Sequence, residues 1–222
     1  MAKSSVKYVI VQDYETGGLP SKEKRPFLDI ALCEVACVVV DMEKLEIIDE
    51  YQALFKPGYK EDLIYAPEAL AVNGLTMEMM EEQGKDAKTV YKDLKDLYTK
   101  YKNPRQGAIV CGHNFTGFDH PFTIELFNYY GDDVWKYVKW VEDTQKLAYY
   151  SNLEQPDYKL STCCSLNDIS LVGAHRAIHD TRSNAQLFIS YIKRLRGEGN
   201  STSSKEENRF REHFKFQIPS WI

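Results

Sequence analysis

Apolar residues in the first quarter of the chain come in compact blocks rich in Val, Ile, Tyr and Phe, divided by Gly, Pro or charged turns. Residues 8–12, 30–40 and 47–55 therefore predict three successive strands in hairpin style, a meander, because β-branched and aromatic side chains suit a pleated, half-buried surface. From Pro67 the period changes. Residues 67–72, 76–83 and 87–102 carry helix formers, and Tyr91, Leu94, Leu97, Tyr98 and Tyr101 recur at the spacing of one helical face, better suited to core packing than to a base platform. Asn73-Gly74 is a C-terminal stop between two of these helices. Beyond them the pattern predicts a buried strand at 108–111, a helix at 121–130, a strand at 137–141 and a long closing helix at 174–195. Three strands, a run of helices, then strand and helix in alternation imply an α/β chain with a mixed sheet between helical layers.

The 222 residues suffice for one α/β domain with a substantial core and an appendage. The expected domain is 1–196. Residues 197–208 have the polar, Gly/Ser-rich composition of a flexible linker. The tail, 209–222, holds Phe210, Phe214, Phe216, Ile218, Trp221 and Ile222 and is too apolar to be left in solvent. It either docks back on its own domain or engages a polymerase or other replication partner through its aromatics.

A formal charge of −5 argues against a general polyanion binder. A nucleic-acid substrate would need local basic patches and bridging cations; Lys22, Lys24 and Arg25 are one such cluster, or else a plain solvated loop. Five cysteines with no Cys-x-x-Cys spacing, two of them the neighbours Cys163 and Cys164, predict reduced thiols and a cytoplasmic setting. The longest apolar run, 35–40, is far below membrane-spanning length, so neither membrane insertion nor secretion is expected.

The densest chemistry lies where the first apolar run ends. In Asp13-Tyr14-Glu15-Thr16 two carboxylates one residue apart leave the same side of an extended chain and can grip a divalent cation together. Two later fragments, 112–119 ending in Phe118-Asp119 and 175–180 running from His175 to Asp180, could bring four acids and a histidine to one point. On these blocks the sequence resembles the DEDDh family of 3′→5′ exonucleases, which includes the proofreading epsilon subunit of bacterial replicases and RNase T. Ile30-Ala31, Asn73-Gly74-Leu75-Thr76 and Glu142-Asp143-Thr144 extend the similarity over about residues 6–196.

The resemblance implies a ribonuclease H-like fold, a five-stranded mixed sheet flanked by helices. It implies Asp13, Glu15, Asp119 and Asp180 as metal ligands and His175 as general base. Thr16 and Asn114 would lie near the terminal nucleotide, and Phe118 or Phe122 would stack on a base. Four mutually repelling carboxylates ionise readily only with cations between them, and all-oxygen ligation favours two Mg²⁺ or Mn²⁺ over zinc. On the expected closing helix His175 is a little over one turn before Asp180. One departure stands out: Gly17-Gly18 follows Thr16, where the family often has a second threonine and then one glycine.

The remaining polar residues have plainer expected roles. Asp119 could also cap the helix that Pro121 opens, and Asp143 is expected to bond backbone at a helix start, outside the ligand set. His113 is expected to serve packing or hydrogen bonding, and His179 to be structural or exposed. The expected activity is a metal-dependent 3′→5′ exonuclease releasing mononucleotides from single-stranded or frayed 3′ ends, DNA before RNA. An RNA-trimming enzyme of the same family would use identical catalytic residues. A noncatalytic nucleic-acid or polymerase-binding scaffold is the alternative from another class. A dimer is consistent with the family.

Overall fold

The computed structural model describes residues 6–105, 107–171 and 176–198. Five strands, β1 (Tyr8–Thr16), β2 (Leu32–Asp41), β3 (Glu46–Leu54), β4 (Ala108–Gly112) and β5 (Val138–Asp143), form one sheet in the order β3-β2-β1-β4-β5. The first three make the expected antiparallel meander, whereas β4 and β5 add in parallel on the other side of β1. The sheet is therefore mixed, with β1 at its centre.

Helices cover both faces. After α1 (Pro67–Asn73) and α2 (Met77–Gln83), α3 (Ala87–Lys100) and α4 (Asp119–Tyr129) pack on one face, where Val90, Leu94, Tyr98, Phe122, Leu126 and Phe127 meet Ile10, Val35, Cys37 and Val39. On the opposite face α7 (Ala177–Arg196) sets Ala177, Ala185 and Phe188 against Val9, Val11, Ala36, Val38 and Val40. Strand side chains alternate between faces, so β2, covered on both, reads up to its terminal Asp41 as an apolar run with one exception, Glu34. Burying it beneath helix and sheet is costly unless its charge is met.

Several expected boundaries shift for physical reasons. β1 runs four residues beyond Gln12, because the ladder to β2 carries Asp13 and Glu15 despite their weak strand preference. The closing helix begins at Ala177, not Ala174, with Arg176 in an extended conformation at its N-cap. The short helix α6 (Leu160–Ser165) and a 3₁₀ turn at Val134–Lys136 were not expected, and of α5 (Thr144–Ser151) only the start after Asp143 was; all are too short to show a period. Gly74, at φ 64°, closes α1 as expected. Tyr91, Tyr98 and Tyr101 are buried, Tyr98 completely.

α7 ends at Arg196, where Gly197 adopts φ 72° and Lys193, Arg194 and Arg196 complement the helix dipole. The tail, and the linker from 199 onward, lie outside the described residues. All five cysteines are free and buried. No helix among the described residues is long and apolar enough to cross a membrane.

Candidate active site

Val9 and Val11 face α7, and the alternation continues through Asp13 and Glu15, which emerge on that face at the end of the central strand. The intervening side chains point the other way. Gln12 is fully buried, its Nε2 donating to Thr123 Oγ1 at 3.0 Å and its Oε1 accepting from the Tyr98 hydroxyl at 2.5 Å. Tyr14 packs in the α3/α4 layer, and its backbone N–H donates to Asp119 Oδ1 at 3.0 Å. That bond ties the first acidic block to the second. Asp119 is thus the first residue of α4 and not its N-cap, a position Phe118 takes without a side-chain bond. Asp180 lies in the first turn of α7, over the same sheet face.

The electrostatics show that the four acids feel one another. The Asp13 carboxyl is pushed well above its usual range, first by burial and then by the charges of Asp119, Glu15, Asp180 and Glu34. Glu15 is pushed up to about 8 by burial, then by Asp180 and Glu34, with Arg176 partly offsetting them. Asp119, only 2% exposed, is raised chiefly by burial; the Tyr14 N–H opposes the shift, and Glu15 and Asp143 add to it. Among the described residues no group of three or more acids, histidines or cysteines stands close enough to hold a metal ion. The donor set still fits a hard divalent cation: all its ligands are oxygens, and their unrelieved mutual repulsion is what a cation would remove.

The second block is held by Asp143, which caps α5 through Gln145 N–H at 3.0 Å and accepts the Asn114 N–H at 2.9 Å on the same oxygen. This is the backbone role expected of it. His113 also behaves as expected: one ring nitrogen is 3.0 Å from Thr144 Oγ1 and the other 2.7 Å from the Tyr158 carbonyl oxygen. Thr144 in turn donates to Asn184 Oδ1 of α7 at 2.6 Å. Asn114 is exposed at φ 58°, a conformation asparagine tolerates.

Thr16 is buried, and its hydroxyl donates to the Gly18 carbonyl at 2.7 Å. The unusual Gly17 has a clear cause: a Cβ there would lie 2.2 Å from the Ile64 carbonyl oxygen, so the threonine often found in the family cannot fit. Phe118 is half-buried and keeps one side toward solvent. Phe122 is a correction. It is fully buried between Tyr14 and Phe118, with ring centroids at 6.4 and 5.6 Å, and has no face left for a base. His179 is half-buried on α7. His175, and with it the expected one-turn spacing to Asp180, lies outside the described residues.

Sequence reasoning passed over Glu34 and Arg176. Glu34 is fully buried on the α7 face of β2, directly opposite Glu15 in the ladder. Its Oε1 accepts from Arg176 Nη2 at 2.9 Å and Gln52 Nε2 at 2.6 Å, and its Oε2 from Arg176 Nε and the Ala177 N–H, both at 3.2 Å. A lone acid inside an apolar strand was the available signal.

The RNase_T family profile, described as an exonuclease, matches residues 10–188. A PolC-type DNA polymerase III from Thermotoga petrophila is 26% identical over 90% of this chain, but the chain spans only 13% of that protein's length. Ribonuclease T from Klebsiella pneumoniae is 29% identical, with 86% of this chain and 87% of that protein covered. Among solved structures, E. coli exonuclease I in complex with a dT13 oligonucleotide superposes with a TM-score of 0.70 at 19% identity, over 93% of this chain and 43% of that one. The fold is the ribonuclease H-like fold of exonuclease I.

Proposed function

The chain belongs to this exonuclease family, and from that premise we propose that it is a 3′→5′ exonuclease, removing mononucleotides from single-stranded or frayed 3′ ends. The observation that carries the reading is the placement of Asp13 and Glu15 at the end of the central strand with Asp119 tied to the intervening Tyr14 N–H, three carboxyls held up first by burial and then by neighbouring acids. Acids kept in such repulsion serve no scaffold, but they suit cation binding.

Asp13, Glu15, Asp119 and Asp180 would hold two Mg²⁺ or Mn²⁺. When bound, such ions would supply activation of an attacking water and a counter-charge for the departing 3′ oxygen. The chain's own groups do the rest. The Tyr14 N–H keeps the Asp119 carboxylate turned toward β1. His175 would accept the water's proton, a role an imidazole can take at neutral pH. Phe118 offers its open side to the terminal base, a contact indifferent to sequence. Asn114, anchored through its N–H by Asp143, presents its amide at the same rim. Thr16, with its hydroxyl given to Gly18, shapes the recess and does not offer a free donor.

DNA is the first substrate by this reading, in keeping with exonuclease I, which binds a dT13 oligonucleotide, and with the polymerase relatives. RNA is the second, favoured by the similarity to a ribonuclease T. Buried free thiols agree with a reducing, cytoplasmic setting. A replication partner for the aromatic tail, and a dimer, belong to the same proposal.

The test uses 5′-labelled single-stranded DNA and RNA of one sequence, with and without Mg²⁺ or Mn²⁺. A ladder shrinking one nucleotide at a time from the 3′ side and absent in Asp13→Ala is the expected result. Intact substrate in both metals would return the chain to the scaffold class.

A further inference from the structure

Glu15 and Glu34 are directly opposed across an antiparallel ladder, on the face covered by α7. Like charges in that relation destabilise a sheet, and burial makes the repulsion worse. The protein treats the two differently. Glu34 receives four donors on its two oxygens, the forked guanidinium of Arg176, the Ala177 N–H and the Gln52 amide, which fill the acceptor sites a carboxylate offers. Among the described residues no such set of protein donors is directed at Glu15, whose nearby cation, Arg176, is already committed to Glu34.

Arg176 is also the N-cap residue of α7, and Ala177 is the first residue of that helix. The Glu34 carboxylate therefore grips the start of the helix that carries Asp180 one turn later. Both the position of the helix end along the sheet and its rotation depend on that grip. A bidentate pair of this kind, with Glu34 fully buried and the Arg176 side chain 35% exposed, supplies direction as well as charge.

We infer that the Glu34–Arg176 pair is a positioning device for the cation site: it withholds the guanidinium from Glu15 and seats the first turn of α7 so that Glu15 and Asp180 can share a divalent cation. Glu34 itself is not a ligand, its oxygens being filled. The inference rests on Asp13, Glu15, Asp119 and Asp180 being the cation-holding set.

The distinguishing experiment measures Mn²⁺ binding alone, by calorimetry or by the loss of the free-ion electron paramagnetic resonance signal, on the full chain without nucleic acid. Glu34→Gln frees Arg176 to approach Glu15 and should weaken Mn²⁺ binding roughly tenfold, the usual cost of losing an outer partner of a metal site. Removing the freed cation as well, in Glu34→Gln/Arg176→Gln, should recover about threefold of that loss, a non-additivity expected only of residues that act on one another. A merely structural pair would leave the double variant no better than the single one, and that result overturns the inference. So does parental affinity in Glu34→Gln. If Glu34→Gln does not fold, Arg176→Lys carries the test at a half-exposed position: it keeps the charge, loses the fork and should weaken binding about threefold, and parental binding there again overturns the inference. A parent protein that binds no Mn²⁺ sinks the ligand set on which the inference rests, a failure distinct from that of the pair.

Discussion

Asp13 and Asp132 are both carboxylates set among many partners, but their surroundings are opposite. Asp132 collects the Tyr91 and Tyr137 hydroxyls, each at 2.8 Å, and the ammonium groups of Lys95 and Lys136 at 3.1 and 2.9 Å; these hold it far below the usual carboxylate range. Asp13 is driven well above that range, first by burial and then by the acids around it. The contrast separates two uses of a charge. Where the chain supplies the counter-charge the acid is a fastener, and where it supplies repulsion the acid awaits a partner from outside.

The largest expected effect breaks the contrast at its acidic end. Asp13→Ala should reduce exonuclease turnover on the order of 10³-fold, because several kcal/mol of cation-borne stabilisation goes with it. The cation-free protein should melt no lower than the parent, since a source of repulsion has been removed. A lower melting temperature would show Asp13 to be a fastener after all.

Next come the paired aromatics. Phe122→Ala should destabilise by about 3–5 kcal/mol, as loss of a fully buried ring does, with little change in KM among molecules that remain folded. Phe118→Ala should raise KM about tenfold, in line with about 1–3 kcal/mol for one stacked base, while stability changes less. Reversed outcomes in melting and steady-state assays would exchange their roles.

Smaller is the effect of Asp132→Ala, which strands two hydroxyls and two ammonium groups and should cost about 1–3 kcal/mol, read as a fall of several degrees in melting temperature. Turnover should stay at the parental level. Lost activity without lost stability would contradict the fastener reading.

The smallest is a pH effect in the absence of cations. Glu15 holds its proton more tightly folded, at about 8, than unfolded, near 4.5, so between those values the native state carries the extra proton. Its contribution is complete below about pH 4.5 and is lost as pH rises toward 8. Buried His113 and His120, held below the usual imidazole range, act in the opposite direction. The parent-minus-Glu15→Gln difference in melting temperature isolates the glutamate: it should fall from pH 5.5 to pH 8 and flatten on adding Mg²⁺. A difference that is flat without Mg²⁺ would remove Glu15 from the repelling set.

Much of the fold was legible because its strands are β-branched blocks and its longer helices show their period. The full length of β1 was not, since Asp13 and Glu15 lack strand preference and only the pairing with β2 counts them into the strand. Of the short helices, eight-residue α5 rests on its Asp143 cap and six-residue α6, with no side-chain N-cap, on packing, more than on periodicity. Order along the chain suggested the acids; Asp13 and Glu15 share β1, the Tyr14 N–H ties Asp119 to that strand, and Asp180 lies in the first turn of α7. Phe122 was misassigned because a four-residue spacing puts it near Phe118 without saying which ring faces the core. The Glu34–Arg176 pair joins residues 142 positions apart, a distance no local pattern spans.

The clasp around Gly17 carries a last consequence. Gly17 N–H donates to Ala31 O, Ala31 N–H to Ile64 O, Ile64 N–H to Asp29 O and Ala66 N–H to Gly17 O, at 2.7–3.2 Å. Three segments distant in the chain are laced amide to amide beside the acids, with no room for a side chain at the crossing. They must loosen together or not at all, so hydrogen exchange at these four amides should proceed as one cooperative opening.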